Sequence, residues 1–378
     1  MDILDQIHID PRLETTLAQQ LKQQLNWLIA SGQLKEGDLL PSVRRAASRL
    51  GINFNTVRSA YQKLEADGLV QTRQGTGTTV LPNDPQRLVR LAAAPRSHTV
   101  GVIIPSLASP FYLSFLQGVE SVAGPARTML ILGVTHDDPG AAQRCYAQLA
   151  ARQVDGILLV SQDDSAFVSL KGSPPGGRLQ PQPLPLVAAD WPASPGYAVN
   201  LDLENAGYQA TRHLLEHGHR QVGLVTYAID LANVLPVNQG YQRALHEAGI
   251  AADPRLIERV HGFDATAGEA GARRLLGLDQ PPKAMFAISD MMAMGACSAI
   301  QQAGLRVPED VAVIGVDDIP LAALVSPSLS TVAAPALQLG QESMKLLESL
   351  VAGKRLLRKQ IVLPTNLVIR QSCGCPGS

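Results

Sequence analysis

The chain is poor in the features that most directly name a class of protein. Only four cysteines occur in 378 residues, at positions 145, 297, 373 and 375. Cys145 and Cys297 stand alone, and Cys297 falls in a helical pattern, so there is no disulfide framework and a reducing compartment is expected. Cys373-Gly-Cys375 has the spacing of half a metal site, but no Cys or His pair is identified to complete it, so no metal and no cofactor are expected. No uncharged apolar run approaches the length of a bilayer span. Asp2 and Asp5 stand where a secretory leader would carry basic residues. A cytoplasmic protein without a membrane partner is expected. Catalytic signatures are missing as well: there is no G-x-S-x-G, no H-E-x-x-H, and no acidic pair at a recognisable catalytic spacing. "RQGTGTTV" superficially looks like a phosphate loop, but a Pro-bearing segment follows it rather than a helix. No residue is assigned a catalytic role, and the chain is not expected to be an enzyme.

Net charge is also nearly absent, at −1. The molecule as a whole therefore shows no attraction to nucleic acid, and any such partner must be read from a local patch. One patch exists. Between Arg44 and Arg73 the chain carries six Lys and Arg against two acids, Glu65 and Asp67.

The composition, 46% hydrophobic and 17% charged, is that of a globular chain, and the length predicts two or three domains. Leu17, Leu21, Leu25 and Leu28 predict a helix over residues 14–31. "SGQLKEGDLLP" then breaks the pattern. Ser42 is placed to cap a second helix, whose apolar face is Val43, Ala46, Ala47 and Leu50 and which ends at Gly51. Asn53 or Asn55 caps a third, with Val57, Ala60, Tyr61 and Leu64 on one face and Gly68 as its C-cap. "GLVQTRQGTGTTV" then alternates as a hairpin. Helix, tight turn, helix and two-stranded wing is the order of a winged helix-turn-helix. The basic side chains fall away from the apolar stripes, as major-groove binding requires.

"LPSVRRAASRLG", "NTVRSAYQKLEADGLV" and "RQGTGTTV" resemble the GntR family of bacterial repressors. The resemblance implies double-stranded operator DNA as the partner. It implies phosphate and base contacts from Arg44, Asn53, Asn55, Thr56 and Arg58, with Gln74-Gly75 entering the minor groove; Arg45 and Arg73 join them as DNA-binding candidates by the placement of their charge. Phe54 departs from the polar or basic residue many relatives carry, and suggests packing or contact with a thymine methyl.

Residues 82–97, with Pro82, Pro85 and Pro95, read as a linker between a head at 1–81 and a body at 98–375. In the body, strand and helix patterns alternate from "TVGVIIP" to "VAVIGV". This predicts an α/β fold with two doubly wound parallel sheets, each covered on both faces, whose strand ends face one cleft. "KGSPPGGRLQPQPLP", residues 171–185, reads as a surface loop.

"TVGVIIPSLASPFYLSFLQGVE", "VDGILLV", "HLLEHGHRQVGLV", "GYQRALHEAGI" and "AISDMMAMGACSAIQQAGLRVPEDVAVIGVDD" resemble the effector domain of LacI-type repressors and the periplasmic sugar-binding proteins. A GntR-type head on such a body is also the layout of arabinose-responsive repressors. The resemblance implies a homodimer and a small-molecule effector, sugar-like or less polar, held between the lobes. It places Ser109, Phe111, Tyr112, Asp190 and Trp191 at the cleft from the first lobe, and Val237, Ser289 and Asp317 from the second. Three positions depart from the sugar-binding pattern: Val237 replaces an Arg, Ser289 an Asn and Ala334 a Gln. The pocket keeps acceptors and loses donors, which favours a ligand with donors of its own.

The expected function is a ligand-controlled transcriptional repressor, with chain crossings between lobes near 195 and 319. A solute-binding protein, or a ligand-independent regulator with a degenerate pocket, is the alternative. GntR heads also occur on aminotransferase-like bodies, but none of the few lysines after residue 98 has the context of a Schiff-base lysine.

Overall fold

The computed structural model describes residues 3–375 apart from 8, 10–15, 31–32, 74–76, 82–96, 137, 161–183, 191, 193, 195, 230, 355 and 357. The linker (except Ser97), nearly all of the 171–185 loop, and the Gln74-Gly75 wing tip lie outside the described residues.

The first helices are α1 (Leu17–Ala30), α2 (Val43–Leu50) and α3 (Phe54–Ala66), followed by the wing strands β1 (Val70–Arg73) and β2 (Gly77–Val80). Their local chemistry follows the sequence closely. The Ser42 side chain accepts from Arg45 N at 3.3 Å, and Gly51 ends α2 at φ 65°, a left-handed conformation that glycine adopts without a Cβ penalty. Of the two asparagines, it is Asn53 that caps α3, accepting from Asn55 N at 2.8 Å. The C-cap of α3 is Asp67 rather than Gly68; Gly68 is the next residue, at φ 67°, where the chain reverses. Leu21, Leu25, Leu28, Val57, Ala60 and Leu64 are fully buried and belong to a core of the head that ends with Val80. Tyr61 donates to Pro41 O at 2.7 Å, and Glu65 accepts from Thr72 N at 2.6 Å, which fixes the wing against α3.

Two six-stranded sheets follow. The first holds β3 (Thr99–Ile104), β4 (Met129–Val134), β5 (Gly156–Val160), β6 (Leu186–Ala189), β7 (Tyr197–Leu201) and β13 (Gln360–Leu363), in the order β13-β7-β6-β5-β3-β4. Every pairing in it is parallel. The second holds β8 (Val222–Tyr227), β9 (Ile257–Val260), β10 (Ala284–Ala287), β11 (Ala312–Asp317), β12 (Ser330–Ala333) and β14 (Asn366–Val368), in the order β14-β12-β11-β10-β8-β9. Here only the edge strand β14 is antiparallel. Both sheets reverse strand order after their first strand. A doubly wound sheet opens a crevice at that reversal, at the carboxyl ends of its strands.

Helices α4 (Pro110–Ala123) and α5 (Pro139–Ala151) belong to the first lobe, and α6 (Leu203–Glu216), α7 (Val234–Glu247), α8 (Ala265–Leu276) and α9 (Asp290–Gln302) to the second. Helix α10 (Ala336–Val351) returns to pack on α4. The chain therefore crosses between lobes three times: at Asp202, at Ala334-Pro335, and at Pro364-Thr365. The crossings expected near 195 and 319 are corrected. Residue 195 precedes β7, still in the first sheet, and residue 319 precedes β12, still in the second. Two of the three crossings are tied together: Asp202 N donates to Leu363 O, and Thr365 Oγ1 donates to Asp202 O, both at 2.9 Å.

Helix α7 begins six residues earlier than the "GYQRALHEAG" pattern suggested. Its early start is held by a close crossing with α6. A Cβ on Gly207 would lie 2.1 Å from Val237 O, and one on Gly240 would lie 2.0 Å from Glu204 O. Only glycine permits the two backbones to approach so far. The first turn of α7, including Asn233 at its N-cap, is thereby brought to the cleft.

Candidate effector cleft and nucleic-acid interface

Between the two sheets lies a cleft of about 290 Å³, lined from the carboxyl ends of strands in both lobes. Ser109, Phe111, Tyr112 and Asp190 line it from the first lobe, and Val237, Ser289 and Asp317 from the second. Trp191 lies outside the described residues. The fold thus brings seven of the eight sequence candidates to one cavity. Ala334 is buried and is not among the lining residues.

Asp190 follows β6 and is 6% exposed, at φ 54°. Its Oδ2 accepts from Asn233 Nδ2 at 3.5 Å, and its Oδ1 has no partner. Burial pushes its carboxyl up to about 7, with the Asn233 contact a smaller opposing effect. Asp317 ends β11 at φ 123°. Its carboxyl is raised well above the usual range, first by burial and then by the neighbouring charges of Asp290 and Asp190. Left-handed backbone at non-glycine residues is strained, and here it recurs at the ends of β6 and β11 where the lobes face each other. Asp318, at φ 57°, accepts from Arg370 Nη2 at 2.6 Å, so its charge is committed to a salt bridge.

Asp290 is fully buried but faces inward: it accepts from Thr331 Oγ1 at 2.5 Å and from Ile319 N at 2.9 Å. It pins the turn that follows Asp317. Ser289 caps α9, accepting from Met292 N and donating to Phe263 O, each at 3.2 Å. Its hydroxyl reaches the cleft wall with most of its hydrogen-bonding capacity already used. Phe111 and Tyr112 meet edge to face, with centroids 5.4 Å apart.

Among the lining residues that sequence reasoning missed, three carry polar or aromatic chemistry into the cleft: Asn233, Tyr227 and Phe263. Asn233 comes from the early start of α7, and its Oδ1 is buried without a partner. Tyr227 and Phe263 stack at 4.6 Å, at the ends of β8 and β9. Strand β9 was not read from the sequence because "LIERV" is short and interrupted by charge. Among the described lining residues there is no Lys, Arg or His.

On the head, Arg44 and Arg45 lie in the first turn of α2, and Asn53, Asn55 and Arg58 at the start of α3; all are exposed, as is Arg73 on the wing. Thr56 is half-buried. Phe54 is 43% exposed, so it stands on the surface beside these residues instead of packing into the core. Two adjacent helix N-termini suit phosphate, because their orphan N–H groups and dipoles favour negative charge.

A further juxtaposition lies away from both places. The sequence reading found no histidine pair to accompany Cys373 and Cys375. The fold corrects this: His213, one turn before the end of α6, clusters with both cysteines, and His217, its C-cap, meets Cys375.

A winged basic head and a cleft between two parallel-sheet lobes define a ligand-controlled DNA-binding regulator. Residues 17–80 match the model of bacterial regulatory proteins of the gntR family, and residues 211–373 match a periplasmic binding protein-like domain. The ribose operon repressor of Haemophilus influenzae is 34% identical over 295 residues, covering 76% of this chain and 85% of that protein. The transcriptional repressor PurR of Aliivibrio salmonicida is 31% identical over 338 residues, covering 88% of this chain and 99% of that one. Among solved structures, a LacI family regulator from Enterococcus faecium with bound ribose superposes with a TM-score of 0.64 at 29% identity, covering 72% and 98% of the two chains. The chain belongs to the LacI-type family of bacterial transcriptional repressors, with a ligand-binding effector body. The GntR label describes its head alone.

Proposed function

We propose that this repressor acts as a homodimer, and that a small molecule held between Asp190 and Asp317 sets its operator affinity. The observation that carries the reading is the pair of acidic strand ends facing each other across the cleft, one with an unpartnered buried oxygen. Asn233 and Asp190 belong to opposite lobes and touch only at the outer limit of a hydrogen bond. A ligand with O–H or N–H donors would satisfy both acids, and its preference for the closed lobes is what would shift the equilibrium. Among the described residues the wall holds acceptors and aromatic faces without a cationic donor, which supports a small ring-bearing ligand rich in donors. Ribose in the relative from Enterococcus faecium has the right size class, and a less polar ring is the competing choice.

The head comprises residues 1–81, the linker 82–97 and the effector and dimerisation body 98–375. Arg44, Arg45, Asn53, Asn55, Thr56, Arg58, Arg73, Gln74 and Gly75 hold operator DNA. One winged head reads only a few base pairs, so two half-sites and a dimer supply the specificity. The exposed Leu113 on α4 and Met129 and Leu132 on β4 support an apolar contact through the first lobe. The role is regulatory and cytoplasmic, not catalytic; among the described residues no helix is long and apolar enough to cross a membrane.

The test is a titration of the chain's own promoter fragment, with candidate ligands added, in wild type, Asp190→Ala and Asp317→Ala. Ligand should change wild-type operator affinity by a coupling of about 1–3 kcal/mol. Both variants should bind operator as wild type does without ligand and lose the response. A wild-type response in both variants would place the ligand elsewhere.

A further inference from the structure

Cys373, Cys375, His213 and His217 come from segments about 160 residues apart, and neither segment lies in the cleft or on the head. Helix α6 ends with His213 in its last turn and His217 as its C-cap, four residues on and so on the same face. After β14 the chain turns back on the second lobe and is anchored by Ser372, whose hydroxyl donates to Val313 O at 2.7 Å and accepts from Ser330 N at 2.8 Å. That anchor sets the two cysteines over the end of α6. Cys375 Sγ lies 3.3 Å from Cys373 Sγ, 3.3 Å from His213 Nε2 and 3.1 Å from His217 Nε2. The donor atoms of His213, Cys373 and Cys375 all fall within 4.8 Å of one another.

We propose that these four side chains form a Cys2His2 site for a zinc-class divalent ion, which staples the C-terminal segment to helix α6. Zinc bonds of about 2.3 Å to sulfur and 2.0–2.1 Å to nitrogen put ligand atoms roughly 3.5–3.8 Å apart in a tetrahedron. The distances between Cys375 Sγ and the other three donors need to open by only a few tenths of an ångström, and the exposed His217, which meets Cys375 but lies outside the 4.8 Å cluster, turns inward to complete the set. The donor set is soft and nitrogenous, which suits zinc and excludes calcium and magnesium. Cys373 and His213 are buried, while His217 is exposed, so the ion has an inner wall and an entry side. On binding, the two thiols give up their protons to solvent and ligate as thiolates. The spacing also explains why the pair hides in the sequence: H-x3-H and C-x-C are each half a site, and only the fold joins them.

The experiment uses the full chain without an affinity tag, stripped with a chelator and kept reduced by a phosphine. Cobalt(II) replaces zinc as the probe. The expected result is one ion per chain, a near-ultraviolet thiolate-to-cobalt band, the visible bands of tetrahedral cobalt, and displacement of both by zinc. Zinc should also raise the unfolding temperature with concentration, because only the folded state presents the site. Cys375→Ser should lose the thiolate-band intensity that this sulfur supplies and most of the thermal shift, while Cys145→Ser, altered on another helix, should keep both. Should Cys375→Ser not fold, His217→Ala reports instead: this exposed position should retain the thiolate band but hold cobalt more weakly and shift the visible bands, as water takes the place of the imidazole. Absence of a thiolate band at stoichiometric cobalt, or unchanged spectra in both Cys375→Ser and His217→Ala, overturns the proposal.

Discussion

Replacing Asp190 with Asn isolates the electrostatic cost built into the cleft. The carboxyl is buried, one oxygen has no partner, and its ionisation is pushed up to about 7 from an ordinary 3.8. A raised carboxyl binds a proton in the folded chain that the unfolded chain has already released. Its contribution to stability is therefore fully present below about pH 4 and is lost progressively as pH rises to about 7. Between pH 5 and pH 8 the loss covers about two pH units, or roughly 3 kcal/mol at 1.36 kcal/mol per unit. The neutral amide avoids this, and it brings a donor to Asn233 Oδ1, which is itself buried and unpaired. It also removes one of the charges that raise Asp317. Urea unfolding of the full chain at pH 5, 6, 7 and 8 should show Asp190→Asn gaining on wild type as pH rises, by roughly 2–3 kcal/mol across the series. Ligand should stabilise the variant far less than wild type. A stability difference that is flat in pH, or that favours wild type at pH 8, would refute the argument that Asp190 is held at the cost of burial.

Arg58→Ala should cost about 1–3 kcal/mol of operator binding and relax specificity at one base pair if the guanidinium reads a base. If it meets phosphate alone, all sequences weaken together and the salt slope falls by about one unit. Unchanged operator affinity in both Arg58→Ala and Arg44→Ala would reject α2 and α3 as the binding face. Sedimentation at micromolar concentration should give twice the chain mass, and a monomer with full affinity for a palindromic operator would overturn the dimer. Leu25→Ala, in the core under α3, should destabilise the head by about 2–5 kcal/mol and leave ligand binding by the body intact, read by thermal shift.

The local elements were legible because their causes are local. Ser42, Gly51 and Asn53 act on backbone groups two to four residues away, so the helices of the head could be read from spacing alone. Apolar strand runs and helical periods likewise announced an α/β body, and the seven described residues that the resemblance points to line one cavity. What the sequence left undecided depends on close approach between distant segments. Gly207 against Val237 and Gly240 against Glu204 let α7 start early and carry Asn233 to Asp190. The lobe crossings at 202, 334–335 and 364–365 follow from which sheet edge each strand joins, and strand pairing is a long-range choice. The raised carboxyls of Asp190 and Asp317 arise from burial between two sheets, which no spacing encodes. The cysteines and histidines meet because the chain after β14 turns back over the end of α6, bringing Cys375 within 3.3 Å of His213 and 3.1 Å of His217. Sequence by itself determined the pieces and their chemistry; tertiary structure decided which pieces share a site, because hydrogen bonds and metal bonds act over a few ångströms regardless of distance along the chain.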